Sequence, residues 1–292
     1  MSIIQLRSFV EVYRQGSISK AANALGLTQP AVSGHISSLE AQIERKLFTR
    51  HARGVKPTVI ADELARRVSK SLDTAENALA EVKARSSVLS GTIHLCGPSD
   101  ILSDLVGTQV SSLAASGLAV HLTPANDAAQ IEMLLEGRAD FAFSVRTSDD
   151  PRIGQEVYGE EEMLLVASPQ IAEKIAQGDN LSKGLTDAPY LTYDVPRSVV
   201  LGWLEHNGLN IALGQEAVIA PDLRALRNFV VQGLGWSVIP GYLIKSALAD
   251  GTLIEVQGPK GNPSMAFHLL WLKSAMRNPR TARAKVLLER PR

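Results

Sequence analysis

Gln29, Ser33 and Ser37 recur at intervals of four, a spacing that stacks side chains along one face of a helix. An amide and two hydroxyls in such a row can read base edges. Glutamine pairs bidentately with adenine N6 and N7, and serine donates or accepts. The alternative is a merely solvated polar face. Arg50, Arg53, Gly54 and Lys56 then cluster in one short segment. That composition suits phosphate or minor-groove contact, or else a plain solvated basic loop. Farther on, Asp100 and Asp127 stand where helices are expected to open, with Gln130 three residues after Asp127. Both aspartates have a helix-capping reading, Asp127 within a capping box. Arg146 follows an apolar run and suits either a carboxylate clamp or a surface salt bridge.

These groups need elements to hold them. Ile4, Leu6, Phe9, Val10 and Tyr13 mark an apolar helical face that Gly16 ends, and a second helix from Ile18 to Leu25 stops at Gly26. Thr28 caps a third helix, with Pro30 in its first turn, where a missing N–H costs nothing. Val32, Ile36, Leu39 and Ile43 face inward on it, opposite the Gln29 row. Two short helices joined by a tight Gly-Leu-Thr turn make a helix-turn-helix, and Leu47 to Pro57 reads as a basic hairpin wing. Thr58 to about Ser87 reads as one helix, about 45 Å long at 1.5 Å per residue. Ile60, Leu64, Val68, Leu72, Ala75, Leu79 and Val82 form a narrow seam on it near heptad spacing. Such a stripe is buried either by a second copy of the chain or by a core helix of the same chain.

From Gly91 onward strands and helices alternate. Strands are expected at 92–96, 119–122, 141–145, 163–167, 190–193, 217–219, 237–239 and 266–272, with helices at 100–115 and 128–136 among those between. Alternation of this kind implies α/β architecture with mainly parallel sheets, whose ligands sit beyond strand carboxyl ends near helix N-termini.

The bulk composition agrees with a packed, multi-domain chain. Its 292 residues are 45% hydrophobic and 21% charged, which fits two or three domains and not disorder. The whole is neutral, yet residues 1–57 carry eight Lys or Arg against Glu11, Glu40 and Glu44, so a basic head sits on an acidic body. The lone Cys96, in an apolar run, excludes an intramolecular disulfide and reads as a buried thiol or, alternatively, a reactive one. Gln5, Arg7 and Glu11 interrupt any secretory pattern at the N-terminus, and no apolar run approaches a membrane span, so a cytoplasmic location is expected. His94, His121, His206 and His268 lack metal-ligand spacing, no Gly-x-Ser-x-Gly elbow is present, and Gly233-x-Gly235 is too weak for a dinucleotide site. No enzyme activity, metal or cofactor is expected.

The run Ala21-Ala22-x-x-Leu25-x-Leu27-Thr28-Gln29-Pro30-Ala31-Val32-Ser33-x-x-Ile36-x-x-Leu39-Glu40, continued by Leu47-Phe48-x-Arg50 and Arg53-x-Val55, resembles the signature of LysR-type transcriptional regulators. More loosely, Gly137-Arg138-Ala139-Asp140-Phe141-Ala142 and Gly233-Leu234-Gly235-Trp236-Ser237-Val238-Ile239-Pro240 are similar to that family's effector domain. Three departures stand out. Ile43-Glu44-Arg45-Lys46 lacks the usual glycine, Thr58-Val59-Ile60-Ala61 lacks the usual Ala-Gly step, and Gly34 replaces a bulkier polar residue.

The resemblance implies an N-terminal all-α winged helix-turn-helix with a long linker helix. After it comes an α/β effector domain of two subdomains, like a type-2 periplasmic binding protein. The expected bounds are 1–57 for the DNA-binding domain, 58–88 for the linker and 91–292 for the effector domain. Within the last, subdomain I covers about 91–160 and 265–292, and subdomain II about 161–264. Implied partners are double-stranded DNA bearing an inverted-repeat operator, a small effector in the cleft, and further copies of the chain as homodimer or homotetramer. The DNA-binding set is Gln29, Pro30, Ser33, Ser37, Arg50 and Arg53. The effector set is Ser99, Asp100, Asp127, Arg146, Arg197 and Ser198. A zwitterion would place its ammonium toward the aspartates and its carboxylate toward Arg146 and Arg197; an ordinary organic acid is the competing ligand. A solute-binding protein with a helical head is the second functional reading, and the basic head counts against it.

Overall fold

A computed structural model describes residues 2–51, 54–85 and 90–289. Helix α1 (Ile3–Gln15) opens on a capping box, in which the Ser2 side chain accepts from the Gln5 amide while Gln5 Oε1 accepts from the Ser2 amide. α2 (Ile18–Leu25) is capped by Ser17 and α3 (Gln29–Ile43) by Thr28. Gly16 ends α1 at φ 59°, and Gly26 ends α2 at φ 64°. The C-cap of α3 is Glu44, which takes φ 53° with a full side chain. The glycine missing from this segment is therefore missing at a position whose backbone favours one. Phe9, Val12, Val32, Ile36, Leu39 and Leu47 pack the centre of the head. The wing strands β1 (Phe48–His51) and β2 (Gly54–Pro57) pair antiparallel, Phe48 opposite Pro57. Gly54 lies so close to α1 that a Cβ there would sit 2.4 Å from the Gly16 carbonyl oxygen.

α4 (Val59–Arg85) carries the seam, and its two ends meet different surroundings. Leu64, Val68 and Leu72 are half-buried against the head of the same chain, whereas Leu79 is 63% exposed. The side chain of Val82 lies outside the described set. Along α4 also lie α12 (Pro279–Leu288) and the 3₁₀ turn Lys273–Arg277 before it. Arg277 bonds Glu76 of α4 and Glu11 of α1 at 2.9 and 3.3 Å, and Arg7 shares Glu76. The C-terminal segment is thus tied to the head by ion pairs.

The remaining elements are β3 (Thr92–Gly97), α5 (Gly107–Ala115), β4 (Ala119–Pro124), α6 (Asp127–Leu135), β5 (Phe141–Ser144), β6 (Ile153–Ala167), α7 (Pro169–Ala176) and α8 (Leu181–Asp187). They continue with β7 (Tyr190–Thr192), α9 (Ser198–His206), β8 (Glu216–Ile219), α10 (Leu223–Val231), β9 (Ser237–Pro240), α11 (Gly241–Ala249), β10 (Ile254–Glu255) and β11 (Ser264–Leu272). One sheet runs in the order β10-β6-β11-β5-β3-β4, with β9 also on β6, and β7 and β8 form a separate pair. β3 pairs in parallel with β4 and β5, but β6 and β11 run antiparallel to each other and to every other partner. The expectation of mainly parallel sheets is therefore corrected to a mixed sheet. These two long strands pass through both halves, and the return path imposes the opposite direction.

The first ten residues of β6 are not legible as strand in the sequence, because Glu156 and the run Glu160 to Glu162 interrupt the apolar alternation. The single helix expected at 100–115 is instead a π-helical turn, Ile101–Leu105, followed by α5. The two halves keep separate cores. One is built on Leu95, Phe141, Phe143 and Leu269; the other holds Trp203, Trp236 and Leu165. No helix among the described residues is long and apolar enough to cross a membrane.

Candidate nucleic-acid interface and effector cavity

On α3, Gln29, Pro30 and Ser37 are exposed and Ser33 is half-buried. The Ser19 hydroxyl donates to Gln29 Oε1 at 3.1 Å, so α2 orients the amide. Ser33 and Ser37 also border a groove of about 260 Å³ between α3 and the wing, with Lys46 at its side. Arg53 lies outside the described residues, as does the side chain of Arg50. His35 does not join the outward row, since its Nδ1 lies 2.8 Å from the hydroxyl of buried Ser8.

Glu40 is the residue that sequence reasoning passed over. It is 8% exposed and accepts from the amides of Leu47 and Phe48 at 2.9 and 3.3 Å and from Lys46 Nζ at 2.8 Å. Burial works to raise its pKa, but the Lys46 ammonium and the two amides outweigh it and hold the carboxyl below its usual range. One carboxylate therefore fastens the base of the wing to the helix that carries Gln29. Its place at the inward end of the Leu39-Glu40 step was the available signal.

The second site is a cavity of about 460 Å³ between the two halves of the C-terminal region. It lies where strands end: Pro98 follows β3, Pro124 closes β4, Val145 follows β5, Tyr193 follows β7 and Pro240 closes β9. Its polar lining is Ser99, Asp100, Asn126, Asp127, Tyr193 and Tyr242, and the rest of the wall is apolar, including Met163, Met265 and Phe267. No Lys, Arg or His is among the residues that line it.

Both aspartates prove not to be helix caps. Asp100 has helical backbone angles and makes no capping bond; it is 3% exposed and accepts from Tyr242 Oη at 2.5 Å. The cap of α6 is Asn126, whose Oδ1 accepts from the Ala129 amide at 3.0 Å, and Gln130 is buried and donates to the Ala125 carbonyl. Asp127, one place later, pairs with Arg146 at 3.3 Å. Arg146 is 77% exposed and lies outside the lining. Arg197 and Ser198 are not brought to the cavity either. Arg197, at φ 60°, donates to Glu216 at 2.9 Å beside the Tyr190 hydroxyl, and Ser198 bonds the Asp194 carboxylate. Their neighbour Val199 lines the wall in their place.

The bond from Tyr242 to Asp100 crosses from one half to the other, and Arg224 Nη1 donates across the same gap to Ser103 Oγ at 2.8 Å. Burial pushes the Asp100 carboxyl above its usual range in spite of the Tyr242 hydroxyl. Burial and then the Asp100 charge push the Tyr242 phenol up as well. Tyr193 is raised by burial and by the charges of Asp100, Asp127, Asp194 and Asp222. The cavity's tyrosines were missed because neither adjoins an expected site residue in sequence, although Tyr193 directly follows β7 and Tyr242 lies in the first turn of α11 just after β9.

Residues 3–62 match the bacterial regulatory helix-turn-helix proteins of the lysR family, and residues 86–290 match the LysR substrate binding domain. The chain is 33% identical to the HTH-type transcriptional regulator AbaB of Streptomyces antibioticus, over 97% of this chain and 96% of that protein. Its fold resembles CrgA, a LysR-type transcriptional regulator from Neisseria meningitidis, with TM-score 0.59, 20% identity and coverage of 99% and 98%. It also resembles full-length LysG from Corynebacterium glutamicum with bound effector Arg, with TM-score 0.54, 18% identity and 98% of each chain covered. With both regions matched and a relative one-third identical over nearly its whole length, the chain belongs to the LysR family of transcriptional regulators.

Proposed function

We propose that this regulator reads an inverted-repeat operator as a homodimer or homotetramer. Gln29, Pro30, Ser33 and Ser37 face the major groove, and Arg50 and Arg53 of the wing meet the backbone or minor groove. The DNA-binding domain is taken as residues 1–57, the linker as 58–88 and the effector domain as 91–292. Subdomain I is 91–160 with 265–292, and subdomain II is 161–264. A small molecule in the cavity, touching Ser99, Asp100 and Asp127, sets the angle between the halves. As a member of its family the protein acts on transcription and not as an enzyme. The site of action is the cytoplasm, where the operator is.

The observation that carries this reading is the cavity spanned by the Tyr242–Asp100 bond, because a ligand seated there touches both halves at once. Two copies related by a two-fold axis would present two α3 helices to a palindromic site. Footprinting on the chain's own promoter region, with Gln29→Ala as the variant, tests the DNA half. The variant is expected to lose about 1–3 kcal/mol of discrimination at one base pair per half-site while nonspecific affinity holds. Unchanged specific and nonspecific affinities would remove α3 from the groove.

A further inference from the structure

Three acidic side chains of the described set are buried, and only two of them have a cation. Glu11 is bonded by Arg277 and Glu40 by Lys46, whereas Asp100 has a phenol as its side-chain partner. Arg224, whose charge Asp100 feels, is committed to Asp222 at 2.7 Å and to Ser103. An ionised carboxylate taken out of water without a cation is costly, and a partner brought from outside relieves that cost. Asp100 lines the cavity, so the partner's place is the cavity itself.

We infer that the cavity selects an apolar molecule carrying one protonated amine, with the ammonium against Asp100 and the hydrocarbon body against the surrounding wall. This rests on reading the cavity as the effector site. The wall supplies the apolar half: Ile101, Val145, Val199, Leu223, Met265 and Phe267 leave little for a polar body to bond. A carboxylate has four lone-pair positions, so Asp100 keeps the Tyr242 bond and still takes an ammonium. A ligand carboxylate meets the opposite situation. It would enter a space with two aspartates and no lining cation, while Arg146 stays outside on Asp127 and Arg197 is turned to Glu216. The ammonium half of a zwitterion is thus provided for, and its carboxylate half is not. A neutral ligand fits the wall but leaves Asp100 unpaired.

Three probes of similar size separate these cases: 2-phenylethylamine, 2-phenylethanol and 3-phenylpropionate, titrated by calorimetry into the full chain. The amine is expected to bind about tenfold or more tightly than the alcohol, since it supplies the cation that the buried Asp100 carboxylate lacks and the alcohol leaves that charge uncompensated. The propionate should bind most weakly. Asp100→Asn keeps an acceptor for Tyr242 and removes the charge, and it should bring the amine to the alcohol's affinity. Propionate binding as tightly as the amine, or an amine preference that survives Asp100→Asn, overturns the inference. So does an absence of binding by all three at millimolar concentration. Ala125→Trp fills the cavity from one half, and Val199→Phe fills it from the other if the first fails to fold. Probes that bind both filled variants as well as the parent would sink the effector site itself. Loss of binding in a filled variant, with the propionate strongest in the parent, sinks only the proposed charge.

Discussion

Replacing Glu40 tests whether the wing is held by one carboxylate. Glu40→Ala leaves the Leu47 and Phe48 amides without an acceptor in a buried place. Each orphaned amide costs about 1–3 kcal/mol, and water reaching in beside the exposed Lys46 head holds the sum to about 2–4 kcal/mol. Glu40→Gln keeps Oε1 for the amides and loses only the charge and the Lys46 pair, a cost of about 1 kcal/mol. For a head of this size each kcal/mol moves the melting point by about 4–8 °C, so the alanine variant should melt about 8–30 °C lower. All three tryptophans, Trp203, Trp236 and Trp271, lie in the effector region, so their fluorescence should follow that region while circular dichroism also follows the head. The early transition should therefore appear in dichroism first. The Glu40 pKa is depressed in the fold. Its contribution is accordingly present above the usual carboxylate range and lost as pH falls through the lowered value, a dependence that Glu40→Gln should remove. An alanine variant melting within a few degrees of the parent refutes the reasoning, as does a glutamine variant that falls just as far.

Glu44→Gly should stabilise the head by about 1 kcal/mol in urea titration, because it relieves a left-handed residue at a helix end; an unchanged midpoint would count against strain there. Cys96 is buried and its thiol is pushed up to about 12, so a thiol reagent at pH 8 should label it only after denaturation, and prompt labelling of the native chain would contradict its placement. Leu79→Asp, on the exposed end of the α4 seam, should shift sedimentation from dimer to monomer while leaving the melting curve in place; a parent already monomeric at micromolar concentration would end the dimer proposal.

The head was nearly all legible because its punctuation is local. Gly16, Gly26, Thr28 and Pro30 each mark a helix end within a few residues of where the backbone turns. The effector cavity was legible only as a place. Strand ends and helix starts located Ser99, Asp100 and Asp127, but side-chain direction is set by partners far along the chain. Arg197 is drawn off by Glu216, and Asp100 meets Tyr242, a residue 142 positions away. The capping box expected at Asp127 missed by one residue because Asn126, a cap of equal quality, stands just before it. The α4 seam showed its period but not its partner, since apolar spacing is the same whether the covering surface belongs to the same chain or another.

The Arg277 ion pairs with Glu11 and Glu76 bear on how operator binding responds to ionic strength. Such measurements are commonly read as a count of phosphates neutralised, each releasing counterions from the duplex. Here the head is also tethered to the sensor by charges that added ions screen, although the buried Glu11 is screened less than a surface pair would be. Ionic strength therefore acts on two equilibria at once, the protein on its DNA and the head on its own body. A logarithmic plot of affinity against salt should bend, and the bend belongs to the tether rather than to the groove.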